Sequence, residues 1–214
     1  DTNTESLAKE VALLSHKLSE TATQISQNRM SAAGDYEEKV SSLLRQLGMP
    51  DASFKVRISD SESLRKYGNS EVEFLFSANK GVDPQALHKV ASGGELSRIM
   101  LVLKSLHAQK ATLPTLIFDE IDTGVSGNIA AAMADIISKM AQQMQIICIT
   151  HLPQVAASGK KHLIVYKEST PRKTQTLIKY LQPEERKWHV AAMLSAGKPE
   201  ETAIKHAESL LLKY

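Results

Sequence analysis

Two short, continuous apolar runs, residues 115–118 and 146–149, restrict the fold of this chain more than any other feature. Strands that are apolar throughout belong in a sheet that is covered on both faces. A helical pattern over residues 129–144 separates the two runs, which predicts a parallel strand pair joined by a right-handed crossover. Polar pairs, Asp119-Glu120 and Thr150-His151, follow the two runs. Because the carboxyl ends of parallel strands carry ligand chemistry, this edge of the sheet is the predicted functional site.

The first 48 residues have the pattern of one long helix with an apolar seam. Gly34 is expected to loosen this helix, and Gly48 with Pro50 is expected to end it. We predict the distal end of an antiparallel coiled-coil arm over residues 1–48 and a globular lobe over residues 49–214, and the alternative is a surface helix on a globular body. The seam positions follow the heptad spacing: Leu7, Val11, Leu14, Leu18, Thr21, Ile25 and Asn28.

The remaining pattern alternates strands and helices, which places the chain in the α/β class. Period-two alternation predicts strands at residues 54–58 and 72–76, with a polar loop between them that includes Gly68, Asn69 and Ser70. The other predicted elements are a helix from residue 96 to 106, a helix over 153–157, a strand pair at 162–166 and 176–181, and a helical region over 184–212 interrupted at 197–199.

A glycine-containing loop leads into the predicted helix that begins near residue 96. Two glycines allow backbone N–H groups to approach an anion, a serine hydroxyl adds a donor, and a helix N-terminus adds positive potential, so a phosphate fits there. The alternative is a capping box, in which the serine is the N-cap and the glutamate is the third helical residue. The residues concerned are Ser92, Gly93, Gly94 and Glu95.

The polar residues at the two strand ends have both a chemical and a structural interpretation. A carboxylate at the position of Asp119 suits Mg²⁺, and Glu120 is placed to polarise a water for attack on a γ-phosphate. Surface charge or capping of the following helix is the alternative for both acids. For His151 taken by itself, the favoured interpretation is a histidine that only satisfies local hydrogen bonds.

The order of these motifs resembles the C-terminal lobe of the ABC ATPase superfamily. The finer resemblance is to the RecN family of bacterial DNA-repair proteins, which are SMC-like ATPases, and it is carried by residues 91–98, 118–127 and 149–156. Ala91 stands where the signature motif more commonly has leucine. The resemblance assigns the signature motif to Ser92, Gly93, Gly94 and Glu95, Walker B to residues 116–119, the catalytic glutamate to Glu120, the D-loop to Asp122 and the switch histidine to His151.

The resemblance implies a head domain with a mostly parallel sheet, preceded by a coiled-coil helix. It implies that two heads dimerise around ATP and Mg²⁺, with Asp119 organising the metal, Glu120 polarising the water and His151 contacting the γ-phosphate. Ser92 to Glu95 would meet the nucleotide on the opposite head, and Asp122 would shape the dimer contact. The implied role is in DNA double-strand-break repair and recombination, with DNA as a partner.

A Walker A motif, G-x-x-x-x-G-K-[ST], does not occur in the sequence. Since the P-loop of this family precedes the coiled coil, the chain is expected to be the C-terminal half, inactive until its own N-terminal half is present. The alternatives are the nucleotide-binding half of an ABC transporter, against which the heptads and the D-loop argue, and a non-catalytic scaffold module.

Composition adds little to this interpretation. The formal net charge of +2 is too small to indicate a nucleic-acid partner. The single cysteine, Cys148, excludes an internal disulfide, favours a reducing compartment and is predicted to be a small buried hydrophobe. No apolar run approaches the ~20 residues that cross a bilayer, so no membrane partner is expected. The expected location is the cytoplasm, in association with the nucleoid.

Overall fold

The computed structural model describes residues 2–90, 92–108, 113–119, 121–125, 127–170, 173–195 and 198–214, apart from the side chains at positions 2, 62 and 170. The chain divides into two compact units, Asp1–Ser92 and Gly93–Tyr214. The first unit contains α1 (Thr2–Gln46), β1 (Ser53–Arg65), β2 (Gly68–Ser77), β3 (Gln85–Ala86) and a 3₁₀ turn (Leu87–Lys89). The second contains α2 (Gly93–Ala108), β4 (Thr115–Asp119), α3 (Gly127–Met140), β5 (Gln145–Ile149), α4 (Pro153–Ser158), β6 (Leu163–Thr170), β7 (Lys173–Tyr180), α5 (Pro183–Ser195) and α6 (Glu201–Lys213).

Helix α1 is a single helix of 45 residues. It continues through Gly34, so the expectation that this glycine loosens the helix is wrong. It ends at Gln46, shortly before the predicted Gly48, whose φ of 75° is the left-handed conformation that follows many helices. The Met49 N–H donates to the Leu44 carbonyl at 3.0 Å, which satisfies one carbonyl that the helix leaves open.

Strands β1 and β2 form a long antiparallel hairpin, and β3 adds two residues to its edge. Both predicted strands lie inside this hairpin, in a register that pairs Phe54 with Phe76. The predicted polar loop at residues 68–70 is wrong, because these residues begin β2 and the chain turns at Lys66 and Tyr67 instead. Asn69 and Ser70 are half-buried, and hydrogen bonds from α1 satisfy them: the Ser26 hydroxyl donates to Asn69 Oδ1 at 3.2 Å, and Arg29 donates to the Ser70 hydroxyl at 2.7 Å.

The two halves of α1 have different surroundings. The C-terminal half packs against β1 and β2, where the ring of Tyr36 lies 6.1 Å from that of Phe54 and 6.0 Å from that of Phe74. Glu37 fixes the contact further, since its carboxylate accepts hydrogen bonds from the Lys55 ammonium and the Val56 N–H, each at 2.8 Å. Along the N-terminal half, the apolar seam is exposed: Leu7, Val11, Leu14 and Leu18.

The second unit contains the predicted parallel pair. Strands β4 and β5 pair in parallel with Thr115 opposite Gln145 and Asp119 opposite Ile149, which confirms the strand, helix, strand order. One face of the pair is buried at Phe118. The other face, called here the open face, carries Ile117, Ile147 and Ile149, which are 61%, 42% and 56% exposed in the described part of the chain. Among the described residues, the second face of the pair is therefore not covered as expected.

The last elements form a small helical cluster beside a hairpin. Strands β6 and β7 pair antiparallel, as predicted. The predicted C-terminal helical region is observed as α5 and α6, which bury Val190, Ala191 and Ala207 together with Ala157 of α4. Arg186 of α5 donates to the Ala157 and Gly159 carbonyls at 2.7 and 2.5 Å and so ties α5 to the end of α4. Within the described ranges, no helix combines the length and apolarity needed to cross a membrane.

Candidate functional site

The carboxyl ends of β4 and β5 lie side by side, at the edge of the parallel pair. The parallel register brings the end of β4, at Asp119, next to the residues that follow β5, Thr150 and His151. Asp119 is exposed at this edge. Glu120, the predicted catalytic acid, lies outside the described residues, as does Ala91.

Asp122 links the two strand ends. It is 1% exposed, and its Oδ2 accepts hydrogen bonds from the Thr150 hydroxyl and, at 3.1 Å, from the His151 N–H. The Val125 N–H donates to the Asp122 carbonyl at 3.1 Å, which closes a turn after β4. Gly124 in this turn has a φ of 72°, a conformation that favours glycine. In this chain Asp122 therefore holds the turn after β4 against the end of β5. Its predicted part in a dimer contact stays a prediction.

The His151 side chain extends from this buried attachment toward solvent. Its Nδ1 lies 3.4 Å from Asp122 Oδ2, while the side chain is 69% exposed. The Thr150 hydroxyl also accepts the Leu152 N–H at 3.0 Å, so the backbone on both sides of His151 is fixed. Sequence reasoning named Thr150 beside His151 at the strand end but assigned it no role in the site. The signal was a hydroxyl residue directly before a histidine at a strand end.

The N-terminus of α2 approaches the same turn. A Cβ added to Gly94 would lie 3.1 Å from the Thr123 carbonyl oxygen, which is closer than nearly all Cβ contacts, whereas a Cβ on Gly93 would meet nothing within 4 Å. Gly94 therefore permits the close approach of helix and turn. The structure thus brings the start of α2, the Asp122 turn and His151 to one edge of the β4–β5 pair. Ser92 is exposed and directly precedes α2.

The carboxylates of Asp119 and Asp122 affect the electrostatics at this edge of the sheet. Burial, followed by the charges of Asp122 and Asp119, raises the pKa of the Cys148 thiol to about 11. Among the described residues, no group of three or more His, Cys, Asp and Glu side chains could enclose a metal. Mg²⁺ commonly takes only one or two protein carboxylates and fills its remaining positions with water and phosphate oxygens. Asp119 fits such a site by its position and its exposure.

The chain is similar in sequence to known proteins. The DNA repair protein RecN of Vibrio cholerae is 36% identical over 213 residues, which are 99% of this chain and 38% of that protein. RecN of Bacillus subtilis is 36% identical over 226 residues, covering 99% of this chain and 39% of that protein. The chain is a RecN homologue. It corresponds to the C-terminal part of these RecN relatives and spans less than two fifths of their length.

The fold is also found among solved structures. The Smc head domain with a coiled coil and joint from Pyrococcus yayanosii matches with a TM-score of 0.62 over 91% of this chain and 35% of that chain. Its sequence identity of 19% makes this a likeness of fold alone. The α/β fold is therefore that of an SMC-type head, with a long helix before the lobe, as the RecN resemblance implied. No family model matches the chain.

Proposed function

We propose that this chain is the C-terminal part of an ATP-hydrolysing head that engages a second, identical head around ATP and acts in DNA double-strand-break repair and recombination. The observation that carries the proposal is the meeting of three separate segments, the start of α2, the Asp122 turn and His151, at the carboxyl edge of β4 and β5. An edge of this kind is where α/β proteins bind ligands.

Each segment has a distinct part in the proposal. Asp119 is placed to hold Mg²⁺, directly or through water, and Glu120, the next residue in the sequence, polarises the attacking water. His151 contacts the γ-phosphate with its exposed ring. Mg²⁺ bound at this edge would supply positive charge to the phosphate oxygens as negative charge develops there.

The signature residues serve the opposite head. The N-terminus of α2, which begins at Gly93, offers N–H groups and positive potential to an anion, and the open space beside Gly93 leaves room for it. Ser92 adds a hydroxyl donor, Glu95 lies in the first turn of α2, and Asp122 shapes the contact between the two heads. In this arrangement one head presents its signature loop to the nucleotide on the other.

The P-loop must come from elsewhere in the full-length protein. The Walker A pattern is absent from the sequence, and the RecN relatives are more than twice as long as the matched part. We therefore propose that the N-terminal half of the full-length protein supplies the P-loop, and that the present chain alone hydrolyses no ATP. The proposed place of action is the cytoplasm, on the nucleoid, with DNA as a partner because the relatives are named DNA repair proteins.

The proposal is tested by Ser92→Arg in the full-length protein. The bulky cation blocks the signature loop from the opposite nucleotide, so ATP binding to one head is retained while hydrolysis and ATP-dependent dimerisation are lost. Isothermal titration measures binding, phosphate release measures hydrolysis, and size-exclusion chromatography with light scattering measures the dimer. Wild-type turnover in Ser92→Arg would show that Ser92 is only a helix cap. A wild-type protein that hydrolyses no ATP would favour a scaffold.

A further inference from the structure

We propose that Asp122 is a positioning residue for His151, holding the ring with Nδ1 toward the buried carboxylate so that Nε2 is the nitrogen presented to a ligand. Thr150 is the second member of this arrangement. The inference deepens the proposed function and rests on it for the role of His151, but the orientation of the ring can be measured independently.

The contacts converge on a single oxygen atom. Asp122 Oδ2 accepts the Thr150 hydroxyl and the His151 N–H at 3.1 Å, and it lies 3.4 Å from His151 Nδ1. The backbone N–H and the ring Nδ1 of His151 both lie near Asp122 Oδ2. Rotation of the ring away from this position would therefore break the contact between Nδ1 and Oδ2. A separation of 3.4 Å is long for a hydrogen bond, and such bonds commonly tighten when the ligand arrives.

The burial of Asp122 indicates more than a role in folding. Its side chain is 1% exposed, and its second oxygen, Oδ1, is buried without a hydrogen-bond partner among the described residues. A buried carboxylate with an unused oxygen costs stability, and a turn of this size could be held by backbone bonds alone. A carboxylate retained at such a cost beside an exposed histidine is the arrangement that orients imidazole rings in many active sites.

The consequence for His151 is a defined tautomer. A carboxylate accepts but does not donate, so the nitrogen facing it carries a proton. With the proton on Nδ1, Nε2 is left for the ligand on the exposed side of the ring, which is 69% exposed as a side chain. A free histidine side chain prefers the other tautomer, so the position of the proton reports the influence of Asp122.

The direct test is the ring ¹⁵N spectrum of His151 in the full-length protein. Spectra are recorded with histidine-labelled protein about two pH units above the ordinary histidine pKa of ~6.5, and His151→Gln identifies the signal. We expect the proton on Nδ1 in the wild type and a shift toward Nε2 in Asp122→Ala. Asp122→Asn, whose amide oxygen can still accept, should retain the Nδ1 proton. A wild-type proton on Nε2, or an unchanged tautomer in Asp122→Ala, overturns the proposal.

Turnover supplies the second readout. Asp122→Ala and Thr150→Val should lower kcat roughly 10–100-fold with KM for ATP changed little, as is common when the partner of a functional histidine is removed. Thr150→Ser, which keeps the hydroxyl, and Asp122→Asn should recover much of the rate. Thermal unfolding checks that each variant is folded. Equal kcat in Thr150→Val and Thr150→Ser overturns the part assigned to Thr150.

The two proposals can fail separately. If His151→Gln retains wild-type turnover, the proposed role of His151 in hydrolysis is wrong, whatever the tautomer. If His151→Gln abolishes turnover while Asp122→Ala keeps both rate and tautomer, the proposed function stands and the positioning role is wrong.

Discussion

The two main sheets of this chain differ in how their apolar side chains are covered. In the β1–β2 hairpin, α1 lies over the strands, and Phe54 is only 1% exposed. In the β4–β5 pair, the open face leaves Ile117, Ile147 and Ile149 in solvent within the described residues. The first sheet is completed by neighbouring sequence, whereas the second presents both an open face and an edge with acidic and histidine side chains. Substitutions should therefore affect stability in the first region and activity in the second.

The largest expected effect is on activity, at Glu120. In the full-length protein, Glu120→Gln keeps the shape of the side chain but removes the proposed base, so ATP turnover should fall about 10²–10⁴-fold. ATP and Mg²⁺ should still bind, and the variant should accumulate as an ATP-dependent dimer because the proposed mechanism separates the heads by hydrolysis. Phosphate release and light scattering measure the two quantities. Asp119→Asn is the matched control, in which weaker metal binding reduces dimer formation itself. Wild-type turnover in Glu120→Gln would show that the catalytic assignment is wrong and that Asp119 and Glu120 are acids at a strand end without a catalytic role.

The next effect is on stability, at Phe54. Phe54→Ala removes a buried ring that contacts Tyr36 and lies 5.4 Å from the ring of Phe74, so it should cost about 3–5 kcal/mol. Ile117→Ala on the open face of the same 214-residue chain should change stability by no more than ~0.5 kcal/mol. Local unfolding free energies from hydrogen exchange of β1 and β4 peptides measure both. Equal costs would remove the contrast between the two sheets.

A smaller effect is expected where α2 meets the Asp122 turn. Gly94→Ala places a methyl group 3.1 Å from the Thr123 carbonyl oxygen, so helix and turn must separate by a few tenths of an ångström. We expect a loss of about 1–3 kcal/mol in the free energy of unfolding. Gly93→Ala is the control, because its added methyl meets nothing within 4 Å and alanine favours the helix. Urea denaturation compares the two variants. Similar midpoints would show that the contact between Gly94 and the Thr123 carbonyl oxygen is not tight.

The smallest effect concerns the acid sensitivity of the first sheet. Burial favours the neutral form of Glu37, but its bonds from Lys55 and the Val56 N–H outweigh this and lower its pKa. The contribution to stability is therefore complete above the ordinary glutamate pKa and is lost as the pH falls through the lowered value. Glu37→Gln should cost less than about 1 kcal/mol at neutral pH and flatten this part of the acid dependence. Glu38→Gln, exposed on the same helix, should leave the profile unchanged in urea titrations at several pH values.

Local patterns were sufficient to predict most elements. The period of 3.6 residues located α1 and α3, and the apolar runs located β4 and β5, because side-chain burial on one face repeats with the geometry of each element. The turn between β1 and β2 was misplaced at Gly68 because glycine and polar residues usually mark loops, whereas here Asn69 and Ser70 lie in a strand and bond to side chains of α1. The predicted domain boundary between an arm over residues 1–48 and a lobe over residues 49–214 stays a prediction, as do the roles of the predicted site residues.

By itself, the sequence determined the strand, helix, strand order, the end of α1 near Gly48 and the placement of Asp119 and His151 at strand ends, since each depends on residues close together in the chain. Only the tertiary structure decided that Asp122 is buried, that Thr150 bonds to it from 28 positions away, and that Gly94 lies close to the Thr123 carbonyl oxygen. These contacts depend on how separate segments pack. A pattern read along the chain contains the spacing of residues within one element, but not the distance between atoms of two elements.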